Sequence, residues 1–313
     1  MNYLQFFHFD RDPFPVNGER NYTFENPRQT RIVDDMAKRL RAEPGIYAII
    51  GKNGSGKTTV LEMAREQVSQ NDWAVMIRPD PKNDIMRTIA DEAGIAARKA
   101  DAGEALRAMA NAHRRGMNAV VLIDDADSMT KKHEIAIASM LETLPYVKIV
   151  LAGGRGLKKN IAKQPGFCNK IAKSYAIRGL SFPAGVRYIR TLAGEALSLA
   201  QYTHPIGMAP AFLLSFVSNR NMQNINYIAT ETLRDAYRDG RHRTGIKNVW
   251  RAAKAHFDMV KGNIYLKFQK MFTTALILLC AYYTGKMIVG RFRLMRELEA
   301  HESIKEQEKL LVG

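Results

Sequence analysis

Eight consecutive residues, Gly51-Lys52-Asn53-Gly54-Ser55-Gly56-Lys57-Thr58, satisfy the spacing Gly-x-x-x-x-Gly-Lys-[Ser/Thr] at every specified position. Their glycines let the backbone turn tightly enough for successive N–H groups to face one concavity, which suits the oxygens of a polyphosphate. In such a P-loop Lys57 reaches the β- and γ-phosphates and the Thr58 hydroxyl ligates Mg²⁺. Gly51, Asn53, Gly54, Ser55, Gly56 and Thr59 complete the cradle. The ligand this chemistry anticipates is ATP with Mg²⁺.

A second constellation lies downstream, where the apolar run 119–123 ends in Asp124, Asp125 and Asp127. Beside a phosphate loop, Asp124 is the expected Mg²⁺ holder, acting through water, and Asp125 the group that polarises an attacking water. Lys57 and Asp125 are thus the expected catalytic pair. The competing reading makes Asp124 and Asp125 no more than caps for the region 128–144.

These residues need elements to hold them. Residues 45–50 read as a short buried strand directly before the loop, and residues 59–66 as a helix directly after it, so strand, glycine loop and helix N-terminus form one anion site. An amphipathic helix is expected over 26–40, strands over 73–77 and 147–152, and helices over 84–92 and 103–114. Strands alternating with helices predict an α/β fold, a three-layer arrangement with a parallel sheet and helices on both faces. From residue 182 onward only helical patterns occur, including 186–199 and 226–237, which marks a C-terminal helical lid subdomain. The stretch 6–16, with four aromatics and two prolines, is too broken for a helix; it either lids the core or lines a base pocket beside the loop.

A hydrophobic fraction of 46% and a charged fraction of 25% exclude disorder as the default. Cys168 and Cys280 lack disulfide or zinc spacing, which favours a reducing compartment. The net charge of +16 calls for an acidic partner, nucleic acid or anionic lipid. Nine Lys or Arg residues stand against only Asp239 and Asp258 between residues 236 and 270. That segment is a solvated face, a lipid-headgroup surface or a nucleic-acid surface. Directly behind it, residues 271–290 are long enough to cross a bilayer if Lys286 snorkels outward, and a buried soluble helix or oligomer contact is the alternative. The resulting division is a P-loop α/β domain at 1–180, the helical lid at 181–240, a basic juxtamembrane segment at 241–270, a transmembrane helix at 271–290 and a charged helical tail at 291–313. The opening residues show no basic stretch followed by a long apolar run, so the N-terminal domain is expected to stay in the cytoplasm.

Taken together the motifs resemble the AAA+ ATPases of the general secretion pathway protein A (ExeA-like) type and, more loosely, the transposition-helper ATPases. Phe6-Phe7 with Asp12-Pro13-Phe14 looks like that family's aromatic entry, the glycine loop matches fully, and residues 122–127 are similar to its Ile-Asp-Glu-Ala-Gln strand end. Three accessory positions depart. Gly154 stands where the family senses the γ-phosphate with Gln, Lys170 where an arginine finger is expected, and Gln223 at the second sensor Arg, with Arg220 one turn away. Lysine neutralises charge but lacks the planar bidentate contact. Related ATPases often carry the longer Glu where Asp125 stands, which adds to the expectation of slow hydrolysis.

The resemblance implies a ring or filament of copies in which Lys170, Arg155 or Arg178 acts across the subunit boundary. It also implies work on an envelope-spanning secretion, pilus or phage-assembly machine at a bacterial or phage-infected-cell inner membrane. A DNA-handling ATPase and a nucleotide-gated scaffold with little turnover are the other two readings.

Overall fold

The computed structural model describes residues 2–15, 24, 26–95, 102–154, 156–157, 170–199 and 202–259. Arg155, both cysteines, the 271–290 segment and the charged tail lie outside them.

Five strands, Gly45–Gly51 (β1), Trp73–Ile77 (β2), Ala119–Ile123 (β3), Lys148–Gly153 (β4) and Ile171–Ile177 (β5), form one parallel sheet in the order β2-β3-β4-β1-β5. The helices are Tyr3–Phe6 (α1), Pro27–Ala42 (α2), Lys57–Val68 (α3), Ile85–Glu92 (α4), Ala102–Arg114 (α5), Lys131–Thr143 (α6), Phe182–Glu195 (α7), Met208–Val217 (α8), Met222–Arg238 (α9) and Ile246–Met259 (α10).

The central strands are largely apolar because both faces are covered, and all five residues of β3 are buried. Successive side chains alternate between two cores. Ile46, Ala48, Val121 and Ile123 pack with Ile89 of α4, Met109 of α5 and Ile137 of α6. Tyr47, Ile49, Val120 and Leu122 pack with Met36 of α2 and Leu61 of α3. Each fully buried Ile, Leu or Val contributes about 1.5–3 kcal/mol. This two-sided burial is the expected three-layer α/β arrangement, and its carboxyl edge is where β1 delivers the glycine loop.

The edge strand β5 escapes an apolar-run search. Its residues alternate, with Ala172, Ser174 and Ala176 exposed and Ile171, Lys173, Tyr175 and Ile177 on the more buried face, as befits a strand open on one side. Its inner anchor is polar: Lys173 Nζ donates to Asp35 Oδ2 at 2.8 Å and Tyr175 Oη at 2.7 Å, tying α2 to the sheet edge. Those two donors hold the Asp35 carboxyl down to about 2.

The chain separates into two compact units, residues 1–253 and 254–313, and the second is described only through residue 259. The helical portion of the first unit runs through α7, α8, α9 and the start of α10, with Ile189, Leu192, Leu214, Ile228, Leu233, Val249 and Ala253 buried. Packing therefore continues past residue 240. In the basic 241–270 stretch, Arg251 is already engaged, pairing with Asp235 at 3.1 Å and Asp239 at 3.2 Å. The expected helix 186–199 starts earlier, at Phe182. The expected helix 226–237 also starts earlier, at Met222, because Asn221 caps it by accepting from Asn224 N–H. Among the described residues no helix is long and apolar enough to cross a membrane.

Candidate nucleotide site

The glycine loop leaves β1 at Gly51 and enters α3 at Lys57 through Gly56, whose φ of 92° lies in the left-handed region that glycine adopts without penalty. No side chain caps α3, so its first N–H groups and the positive end of its dipole are left for an anion. Lys57 is buried to 6% exposure and its Nζ donates to Lys52 O at 3.3 Å, which folds the ammonium back over the loop.

A second helix N-terminus converges on the same place. The Met222 N–H at the start of α9 donates to Gly54 O at 3.0 Å, and Asn221 Nδ2 donates to Asn53 O. The approach is close enough that a Cβ on Gly54 would stand 2.1 Å from Asn221 Oδ1. From α2, Gln29 Nε2 reaches Ser55 O at 3.5 Å. The lid thus sits directly on the loop backbone rather than over empty space.

Opposite the loop, Thr58 Oγ1 donates to Asp124 Oδ2 at 2.8 Å. Asp124 is 1% exposed, yet its Oδ1 has no partner, and Ser55 Oγ is in the same state. A buried polar atom without a partner is costly unless a ligand completes it. The donor set fits Mg²⁺, a hard cation taking oxygen ligands: the Thr58 hydroxyl and a carboxylate oxygen are in place beside a phosphate cradle.

Asp125 comes next, in left-handed backbone (φ 48°, ψ 41°) at the head of a short 3₁₀ turn, Ala126–Ser128. This conformation aims its carboxylate along the cleft. Asp125 holds the N-cap position of that turn without a side-chain capping bond, and α6 is capped by Thr130, with His133 reciprocating. Asp127 turns the other way and accepts the Gly154 N–H, closing the end of β4.

These groups border an open cleft of about 410 Å³ lined by Pro15, Asn53, Gly54, Gly56, Lys57, Thr58, Thr59, Asp125, Tyr188, Met222, Gln223 and Asn226. The N-terminal aromatic stretch packs on the core and reaches the cleft at its end. Phe7, Phe9 and Phe14 are buried, while Pro15 lines the cleft and its carbonyl accepts from Asn226 Nδ2 at 3.2 Å. Tyr188 Oη donates to Asn226 Oδ1 at 2.9 Å, and burial pushes its phenol up to about 12, so it is a neutral donor throughout the working range.

The remaining expected residues separate. Gln223 lines the cleft; Arg220 stands outside it, exposed on a turn where Asn219 and Arg220 have φ of 54° and 59°. Arg178 is exposed at the carboxyl end of β5. Lys170 precedes β5 at the opposite edge, where its carbonyl accepts from Ile46 N–H at 2.8 Å. β1 runs seven residues from Gly45 at that edge to Gly51, a span of about 20 Å. Lys170 therefore cannot serve its own phosphate loop. Gly154 has no side chain to offer the cleft.

No sequence motif singles out Arg78. Its guanidinium lies against both acidic residues, Nη2 3.0 Å from Asp124 Oδ2 and Nε 3.3 Å from Asp125 Oδ2. The strand register contains the signal: Ile77 pairs with Ile123, so the next residues, Arg78 and Asp124, emerge side by side. Tyr188, Asn221 and Met222 are equally hidden as site residues, because they are distant in sequence and reach the loop only through the lid.

Residues 40–161 match the family described as AAA domain. Among curated proteins, general secretion pathway protein A of Aeromonas hydrophila is 26% identical over 258 residues, covering 77% of this chain and 46% of that protein. The chain thus spans about half the length of the relative it matches. Solved structures with the same fold include the ORC2 protein of Aeropyrum pernix in its ADP form, with a TM-score of 0.63 at 16% identity, covering 79% of this chain and 73% of that one. The Aeropyrum pernix ORC1 protein in complex with DNA gives 0.61 at 14%, covering 78% and 69%. Cdc6p of Pyrobaculum aerophilum gives 0.62 at 14%, covering 77% and 70%.

Proposed function

We propose, from the premise that this chain is an AAA+ protein related to general secretion pathway protein A, that its cleft binds ATP with Mg²⁺ and that the bound state drives or gates an assembly at a membrane. The observation that carries the reading is the placement of Lys57 and the uncapped N-terminus of α3 on one cleft beside a buried carboxylate with a free oxygen. Bound Mg²⁺ supplies charge neutralisation for the phosphates.

The chain's own groups divide the work. Lys57 and the first N–H groups of α3 hold phosphate oxygens. Thr58 and Asp124 hold the metal. Asp125 orients the attacking water, and Pro15, Tyr188 and Asn226 flank the far side of the cleft. Hydrolysis is slow, because Asp125 is shorter than the Glu that related ATPases often carry there, position 154 lacks a side chain, and Gln223 rather than Arg occupies the lid position. Copies assemble into a ring or filament, which gives Lys170, Arg155 and Arg178 a neighbour's nucleotide to approach. Residues 271–290 anchor the chain in an inner membrane with the AAA+ portion on the cytoplasmic side, and the machine served is envelope-spanning.

Two measurements test this. Steady-state hydrolysis is expected below the roughly 10 s⁻¹ typical of enzymes; rapid turnover by the isolated chain would count against the gating role. Membranes washed with alkaline carbonate should retain the protein, and release into the wash would sink the anchor. In that event the +16 charge favours a DNA-handling ATPase, whose hydrolysis should respond to added duplex DNA.

A further inference from the structure

We propose that Arg78 is a built-in counter-cation of the metal site, holding the two acidic residues while no metal is bound and setting the Mg²⁺ concentration at which nucleotide is retained. The inference rests on the reading of the cleft as a Mg²⁺-nucleotide site and adds a residue that its motifs do not contain.

The geometry comes from the sheet. β2 and β3 run parallel with Ile77 opposite Ile123, and the Asp124 N–H donates to Ile77 O at 2.9 Å, so Arg78 and Asp124 leave the ladder as neighbours. One planar guanidinium then spans two carboxylates, at 3.0 Å and 3.3 Å, a fork geometry that lysine cannot reproduce. The burial of the partners is lopsided: Asp124 is 1% exposed and Arg78 65%. Asp124 cannot move away from its charge, whereas Arg78 reaches it from solvent and can withdraw without opening the core. The same Asp124 oxygen that Arg78 contacts also accepts from Thr58 Oγ1 at 2.8 Å, so the guanidinium stands beside the metal-holding hydroxyl.

Electrostatics gives the direction. Adjacent carboxylates repel each other, and a buried one without compensation is strongly unfavourable. Arg78 supplies one positive charge to the pair, leaving it with net negative charge that still attracts a divalent cation but less strongly than two bare carboxylates would. Arg78 therefore stabilises the metal-free site and raises the metal concentration needed to fill it.

The test is an equilibrium titration of Mg²⁺ into the full chain with a fluorescent ATP analogue held constant, read by anisotropy and involving no turnover. Arg78→Met should reach half-saturation at about tenfold lower Mg²⁺ than the parent, the scale of one unit charge acting on a divalent ion at short range in a wet cleft. Arg78→Lys, which keeps the charge and loses the fork, should fall within about threefold of the parent. In EDTA the Arg78→Met protein should melt below the parent, and added Mg²⁺ should restore it. Equal Mg²⁺ dependence in parent and Arg78→Met would overturn the proposal while leaving the nucleotide site standing. Absence of analogue binding by the parent at any Mg²⁺ concentration would remove the site itself, and the role of Arg78 with it.

Discussion

Alanine at position 54 is expected to lower the melting temperature by roughly 5–10 °C and to weaken nucleotide binding severely, although the general phosphate-loop spacing leaves that position open. Gly54 has φ of 72°, a conformation that costs an alanine about 1–2 kcal/mol. The added Cβ would also stand 2.1 Å from Asn221 Oδ1 and 2.8 Å from its Cγ. Asn221 is short, and it is committed twice, as the cap of α9 and as donor to Asn53 O. Displacing it removes a cap worth about 1 kcal/mol and lifts the lid helix from the loop backbone. Thermal denaturation checks this against Gly116→Ala, where φ is 78° but nothing lies within 4 Å of the added atom, so only the backbone term remains. The double variant Gly54→Ala with Asn221→Ala should lose less than the sum of the two singles, since both break the same contact. Strict additivity would mean that lid and loop are not coupled there.

Asp124→Asn should cut hydrolysis about 10–100-fold and raise the Mg²⁺ requirement by a similar factor, the usual effect of altering a group that orients a metal's ligands. The replacement keeps the shape and an oxygen to accept from Thr58 Oγ1, now at 2.8 Å from Asp124, but removes the charge. Nucleotide binding in EDTA should change little, because Lys57 and the uncapped N-terminus of α3 are untouched. The sign is opposite to that expected for Arg78→Met, so the two variants measured in one assay separate loss of a metal-holding charge from loss of its competitor. Unchanged Mg²⁺ dependence in Asp124→Asn would place the metal elsewhere.

The contrast between Asp124 and Arg78 explains how much of this site the sequence makes legible. Asp124 ends a run of five buried apolar residues, and Lys57 completes a glycine spacing that few other structures need; both signals are local, set by burial and by backbone geometry. Four of the five strands announce themselves in the same way. β5 does not, because an edge strand needs only one apolar face and here anchors through Asp35, Lys173 and Tyr175 instead. Arg78 becomes meaningful only once β2 is known to lie beside β3 in a fixed register. Asn221 and Met222 require more still, since they meet residues 53 and 54 across the whole length of the fold. Their caps and turns are readable locally; their partner is not.

The central claim is that the cleft between the glycine loop and α9 holds a nucleoside triphosphate. Calorimetric titration of ATP with excess Mg²⁺ into the full chain tests it most directly. One ATP bound per chain, with binding abolished by Lys57→Ala while that variant keeps the parent's melting temperature in the absence of nucleotide, is the expected result. No binding by the parent, or equal binding by a folded Lys57→Ala protein, would contradict it.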